Sequence, residues 1–389
     1  MKITKNVTIR LVFLFAMSVL FFSTLAGAQE KTGTQNKTAV QDKITLEDIF
    51  KVWRERQRKV RTLRIKWDES LLIPKNELGL DHPAKSQKDL IFKNAVEYVI
   101  SGDYARYSRD GTRWDYMQNM SLKERVVYTF NNHINYSFVE TNRNEDSRHG
   151  TKDPPAIRET NLVSYPNLAI LRYYRIDAPK FGILERGQWT LGPEKIIAGR
   201  KCVLVQNRFN HGKAKIPYRE YFFVDTERNM VPVEFGHILR ETTSLRFRVK
   251  YKSDASGDWQ PVSWLCDDYQ LSGGVKKLKS SRHVVVTLLE LNSDISEDEF
   301  AIKFPPKTII RDLVTKKGEE NYCFVNADGS TRPISKSELA VGTFDEVRKN
   351  IAAETARDSQ FWWYTVSAVV ALLCILFWAI FRYKKRHLF

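Results

Sequence analysis

From Leu63 to Leu291 the chain keeps returning to one pattern: short runs in which apolar and polar residues alternate, joined by brief turns. Alternation of period 2 marks a strand with one buried face, because successive side chains point to opposite sides. Leu63, Ile65 and Trp67 alternate with Arg64, Lys66 and Asp68, and Leu245, Phe247, Val249 and Tyr251 alternate with Arg246, Arg248 and Lys250. Tyr98 to Ile100 and Tyr104 to Tyr107 flank Ser101-Gly102-Asp103, while Tyr128 and Phe130 precede Asn131-Asn132 and Ile134, Tyr136 and Phe138 follow it. Both read as hairpins. Further strands fall at Cys202 to Gln206, Val262 to Tyr269 and His283 to Leu291. About ten strands joined by short turns predict one large antiparallel sheet rather than βαβ units.

The stretch Tyr221 to Phe235, YFFVDTERNMVPVEF, departs from simple alternation. Its first strand is apolar on both faces, so each face needs a cover. The reversal falls at Asp225 to Asn229, where Asn tolerates a left-handed backbone, and Pro232 places the returning strand at an edge or a bulge.

Helical spacing occurs at three places. Thr45 with Asp48 predicts a capping box and Ile44 with Ile49 a hydrophobic staple, opening an amphipathic helix to about Arg61 that carries Leu46, Ile49, Trp53 and Val60. Leu168, Leu171 and Tyr174 recur at helical spacing after Pro166 and predict a short lid helix within residues 161 to 175. Thr343 with Glu346 predicts a further helix through Val347 and Ile351.

The ends read as targeting segments. Lys2, Lys5 and Arg10, an apolar run from Leu11 to Phe22 and Ala26-Gly27-Ala28 predict a secretory signal over residues 1–28, an uncleaved anchor being the alternative. Residues 29–44 are polar and read as a flexible leader. Phe361 to Phe381 is an uncharged stretch expected to form a transmembrane helix, with a basic tail at residues 382–389 left in the cytoplasm. The expected protein is thus a single-pass cell-membrane protein with its large domain extracytoplasmic, in the periplasm or its equivalent. The formal net charge is +16; three basic residues in the signal and four in the tail leave +9 for the part between. That moderate excess fits either solubility or attraction to an anionic envelope surface. An exported domain does not meet nucleic acid.

Catalytic and metal motifs do not emerge. Seven histidines are scattered without H-E-x-x-H spacing, and no G-x-S-x-G, G-x-x-x-x-G-K-[ST] or G-x-G-x-x-G occurs. Asp267 and Asp268 are adjacent in a strand and so face opposite sides. Cys202, Cys266 and Cys323 allow at most one disulfide, and buried thiols are expected. No catalytic residue, metal or cofactor is expected, and the chain is read as non-enzymatic.

Several short motifs carry a resemblance. Gly199-Arg200-Lys201-Cys202, the aromatic strand ending at Asp225, Val231-Pro232-Val233, Trp259-Gln260-Pro261 and Ile295-Ser296-x-x-x-Phe300-x-x-x-Phe304-Pro305 together resemble the LolA/LolB/RseB lipoprotein-localisation superfamily over roughly residues 45 to 315. Two features depart from it: the expected tether, and Pro305-Pro306-Lys307-Thr308 where the family shows Pro-x-Gly-Thr. The resemblance implies an α+β, mostly β fold, a large curved antiparallel sheet forming an incomplete barrel, with helices lidding its concave face. It also implies binding of acyl chains or apolar peptide segments without chemistry. The expected organisation is a LolA-like domain at 45–315, an extension and membrane-proximal stalk at 316–360, a transmembrane helix at 361–381 and the tail.

Two binding features follow. Ile65, Trp67, Tyr128, Tyr136, Phe222, Val224, Phe247 and Trp264 are the candidate lining of an apolar cavity, although a packed core would have the same composition. Arg246, Arg248, Lys250 and Lys252 share one strand face and form a candidate patch for an anionic surface, or an ordinary solvated face. The expected function is holding, sensing or presenting a lipid, lipoprotein or apolar peptide; the alternatives are a structural or protein-interaction module with a filled core, and a hydrolase whose site forms only in three dimensions.

Overall fold

A computed structural model describes residues 44–75, 88–102, 104–115, 120–131, 134–142, 148–154, 188–211, 216–239, 242–272, 275–315, 320–340 and 344–386. The predicted signal, the leader up to residue 43 and the lid helix expected at 161 to 175 lie outside the described residues. Helix α1 spans Leu46–Lys59, and Thr45 closes it with the predicted capping box: Thr45 accepts from the Asp48 N–H while the Asp48 carboxylate accepts from the Thr45 N–H. This satisfies two of the orphan donors of a helix start.

The rest is one sheet. Its first part comprises β1 (Thr62–Ile73), β2 (Leu90–Ser101), β3 (Tyr104–Asp115), β4 (Met120–Asn131), β5 (Ile134–Thr141) and β6 (Arg148–Asp153). After these come β7 (Trp189–Ile197), β8 (Arg200–His211), β9 (Ile216–Asp225), β10 (Val231–Leu239), β11 (Thr242–Ser253), β12 (Trp259–Ser272) and β13 (Val275–Leu291). Three short strands close the series: β14 (Ile309–Asp312), β15 (Asn321–Val325) and β16 (Thr331–Ile334). The order is β16-β15-β14-β6-β5-β4-β3-β2-β1-β13-β12-β11-β10-β9-β8-β7, so β1 and β13 join two meanders at the centre. The sheet is open, with β16 and β7 as its edges among the described strands.

Three expectations of fold class need correction. The sheet is mixed, because β14 runs parallel to β6, with Ile309 opposite His149. The cause is the segment between β13 and β14, which crosses the sheet. Ser296 caps a 3-10 turn at Glu297–Phe300, Phe300 is fully buried beside Tyr104 and Phe304 lies 6.3 Å from Phe138. A β-carbon at Gly150 would stand 2.5 Å from the Phe304 ring, so the crossing depends on glycine there. Second, one helix, α1, covers the central face among the described residues. Third, no helix of the described residues is long and apolar enough to cross a membrane. Helix α3 (Phe344–Arg386) follows α2 (Lys336–Leu339). Its first part is charged, at Asp345, Glu346, Arg348, Lys349, Glu354, Arg357 and Asp358, and Phe361 beyond it is 72% exposed.

Cross-strand pairs define the two faces. Leu63, Ile65 and Trp67 pair with Ile100, Tyr98 and Val96 on one side and with Leu291, Leu289 and Val286 on the other. All of these belong to the face that carries α1. Ile49, Phe50 and Trp53 of α1 are buried against it in one core that extends to Trp189, Phe222, Phe235 and Phe247. A second, smaller core joins Ile309, Phe324 and Ile334 to Val347 and Ile351 of α3. Residues 321–334, expected in the extension, thus hydrogen-bond into the same sheet. On the opposite face Arg64 lies 2.8 Å from Glu97 and 2.5 Å from Glu299, next to the buried Phe300.

Candidate functional site

Six of the eight candidate lining residues meet in a single cluster. Ile65 and Trp67 of β1, Phe222 and Val224 of β9, Phe247 of β11 and Trp264 of β12 are all buried on the α1 face. Phe222 is boxed by rings: Trp53 at 5.2 Å, Trp189 at 5.6 Å and Phe235 at 4.8 Å. The Trp53 indole N–H donates to the Met230 carbonyl at 2.6 Å, which pins α1 onto the β9–β10 reversal. Asn229 and Met230 in that reversal have φ of 51° and 56°, and the β9–β10 register shifts between Pro232 and Glu234, so Pro232 sits at a bulge.

The other two candidates lie elsewhere. Tyr128 shares the α1 face but is half-buried on β4, its ring 6.2 Å from Tyr107. Burial pushes the Tyr107 hydroxyl up to about 12, and burial raises Tyr128 as well. Tyr136 is on the opposite face, since its neighbour Ser137 is the residue paired with Tyr128. The basic strand face is likewise on the far side from α1. Arg246 is bonded to Glu234 at 2.8 Å and Arg248 to Asp267 at 2.9 Å, both carboxylates being nearly buried, while Lys250 and Lys252 are exposed. The Glu234 hydrogen bond holds the Arg246 guanidinium above its ordinary value.

One large opening lies where α1 ends. A cleft of about 840 Å³ is formed by Arg56, Arg58 and Lys59 of α1, Val60 to Thr62, the start of β12 and the end of β13. The volume is of the size that small ligands occupy. Trp259, Leu289 and Leu291 give it an apolar wall, and Leu289 and Leu291 face the same side as Ile65 and Leu63. Trp259 and Leu289 also pack against the main core, so the cleft is continuous with the cluster beneath α1. The Arg228 guanidinium lies 4.4 Å from the Trp259 ring, within cation–π range.

The wall is held by local chemistry. Asn292, at φ 59°, accepts from the Arg61 N–H at 2.7 Å and donates from its side chain to the Lys59 carbonyl at 2.9 Å. It thereby satisfies a carbonyl that the end of α1 leaves orphaned. Asp254 organises the β11–β12 turn by accepting from Ser256 and Asp258 N–H and from the Gln260 amide. Arg56 donates from Nη2 to the Trp259 carbonyl at 2.6 Å, while its Nη1 is buried with no hydrogen-bond partner.

The cleft itself was not singled out in the sequence, although Trp259-Gln260-Pro261 of its wall was. The run Arg54-Glu55-Arg56-Gln57-Arg58-Lys59 reads as the polar side of an amphipathic helix, and cations at a helix C-terminus are expected from the dipole alone. The available signal was the basic excess of that last turn coinciding with the Trp259-Gln260-Pro261 motif. Cys202 and Cys266 are buried thiols and unbridged; burial pushes Cys202 up to about 11, so it is inert. Among the described residues no three His, Cys, Asp or Glu side chains converge as a metal site.

No family model and no curated protein matches the chain. Among solved structures it is similar to an outer membrane lipoprotein-sorting protein domain from Vibrio parahaemolyticus, with 9% identity, a TM-score of 0.37 and coverage of 65% of this chain and 94% of that one. A DUF1329 family protein from Desulfovibrio piger is similar at 9% identity and a TM-score of 0.33, covering 66% and 96%. A chain of the Pseudomonas aeruginosa MucA/MucB complex is similar at 8% identity and a TM-score of 0.22, covering 64% and 100%.

Proposed function

We propose that the chain is a non-catalytic, extracytoplasmic binding protein that holds, senses or presents a lipid-modified or otherwise apolar ligand between α1 and the sheet. The observation that carries this is the cleft at the end of α1, half apolar and continuous with the buried cluster that holds Ile65, Phe222 and Phe247. Extracytoplasmic placement rests on the signal-like pattern from Lys2 to Ala28. With Arg246 and Arg248 engaged by carboxylates, contact with an anionic surface falls to Lys250 and Lys252.

The test is native mass spectrometry of the full chain together with displacement of an apolar fluorophore. Co-purifying lipid, and displacement that Leu291→Asp in the cleft wall abolishes while the protein stays folded, are expected. A second reading, a protein-interaction module with a filled core, is favoured by the ring box around Phe222. Under it no lipid co-purifies and the fluorophore is not displaced.

A further inference from the structure

Strands β14 to β16 join the rest of the sheet through a narrow, polar seam. The β5–β6 ladder runs from Asn135 to Glu140, whereas β14 meets β6 only from Ile309 to Asp312, in the parallel arrangement that is slightly less stable per residue. β6 itself carries no apolar side chain. Polar bonds hold the seam: the Leu313 N–H donates to the Lys152 carbonyl at 2.9 Å, and Lys152 lies 3.2 Å from Asp312. Arg348 donates to the Arg148 carbonyl at 2.6 Å and Arg148 to the Pro306 carbonyl at 3.2 Å. Rings add two contacts, Phe304 with Phe138 and Phe344 with His149.

Beyond the seam the three strands have a core of their own. Ile309, Phe324 and Ile334 pack with Val347 and Ile351 of α3, and none of these belongs to the core under α1. The chain leading into this unit is anchored up to Phe300, by the buried Phe300 ring, by Arg106 on the Glu299 carbonyl at 2.8 Å and by Arg64 on the Glu299 carboxylate. Just past it, Ala301 and Lys303 are exposed. A unit with a separate core, a polar seam and an exposed connection meets the conditions for opening below the free energy of global unfolding.

We propose that β14 to β16 and the start of α3 form a flap that swings off β6 as one body about residues 301–303, while β1 to β13 stay folded. Opening uncovers the backbone edge of β6 and carries α3 with the flap, so the sheet edge and the helix position change together. The flap is independent of ligand binding at the cleft, which is built from α1, β12 and β13.

Native-state amide exchange of the full chain, read by mass spectrometry from zero to low urea, tests this. Residues 309–312, 321–325 and 347–351 are expected to exchange as one group, with about tenfold or more less protection than β1 and β13. Thr151→Cys with Arg311→Cys, an opposed pair in the β6–β14 ladder, should close the flap by a disulfide. The group's protection is then expected to rise about tenfold or more, and dithiothreitol to reverse the rise. Gly150→Ala, whose added β-carbon meets the Phe304 ring, should speed exchange in the same group and leave β1 to β13 unchanged. Exchange of the group in step with β1 to β13 overturns the proposal, as does a disulfide that forms and leaves the group's exchange unchanged. Fraying of β15 and β16 while the β6–β14 bonds stay as protected as β1 also overturns it, and so does loss of the whole fold in Gly150→Ala.

Discussion

At the scale of single residues, Lys307 shows how a departure in the sequence becomes a physical statement. The lipoprotein-localisation pattern has glycine where this chain has Lys307, and Lys307 stands at φ 67°. A side chain in that region costs ~1–2 kcal/mol, because Cβ crowds the following carbonyl. The position is held by bonds on either side: the Lys307 N–H donates to the Val325 carbonyl at 2.8 Å and the Val325 N–H to the Thr308 carbonyl at 3.0 Å. Lys307→Gly is therefore expected to stabilise the protein by up to ~1 kcal/mol in urea unfolding, after subtracting glycine's extra unfolded-state entropy. A loss of stability would show that the lysine side chain contributes more than its backbone costs. The missing glycine was readable in the sequence, but its backbone angle was not. Asn229 is the converse case, since a left-handed reversal there was legible from its type and place. The cleft was not legible at this scale, for Arg56 differs from Arg54 and Arg58 only in which atoms the β12 backbone meets.

At the scale of elements, α1 decides between the lid and the plug. Its start was legible in full, through Thr45, Asp48, Ile44 and Ile49, because capping is local chemistry. Its seat was not, because Trp53 is fixed by the Met230 carbonyl and by Phe222, both far away in sequence. Trp53→Ala is expected to cost ~3–5 kcal/mol in chemical denaturation if α1 is part of the core, as its complete burial implies. A cost under ~1 kcal/mol, with faster uptake of an apolar fluorophore, would instead make α1 a lid that opens. Most strands from β1 to β13 were legible from alternation and turn residues, but β6, with no apolar alternation in Arg148–Asp153, was not. The parallel β14 was hidden, since its place follows from Phe300 and Phe304 crossing a face that Gly150 keeps open. The apolar run in α3 was the clearest signal of all and still misled as to a span.

At the scale of the molecule, the two faces of the sheet differ in what covers them. The α1 face holds the aromatic core and the cleft, and the opposite face holds pairs such as Arg64 with Glu97 and Arg248 with Asp267. This division explains why Tyr136 parts from the other lining candidates: a one-residue offset changes the face. Under the proposed function a ligand is met at the end of α1, away from the core of β14, β15 and β16. The direct measurement is amide hydrogen exchange of the full chain with and without saturating dodecyl phosphate. Slowed exchange is predicted in residues 56–62, 259–261 and 289–294, with β14 to β16 unchanged. No slowing, or slowing confined to strands away from the cleft, would contradict the assignment of this site.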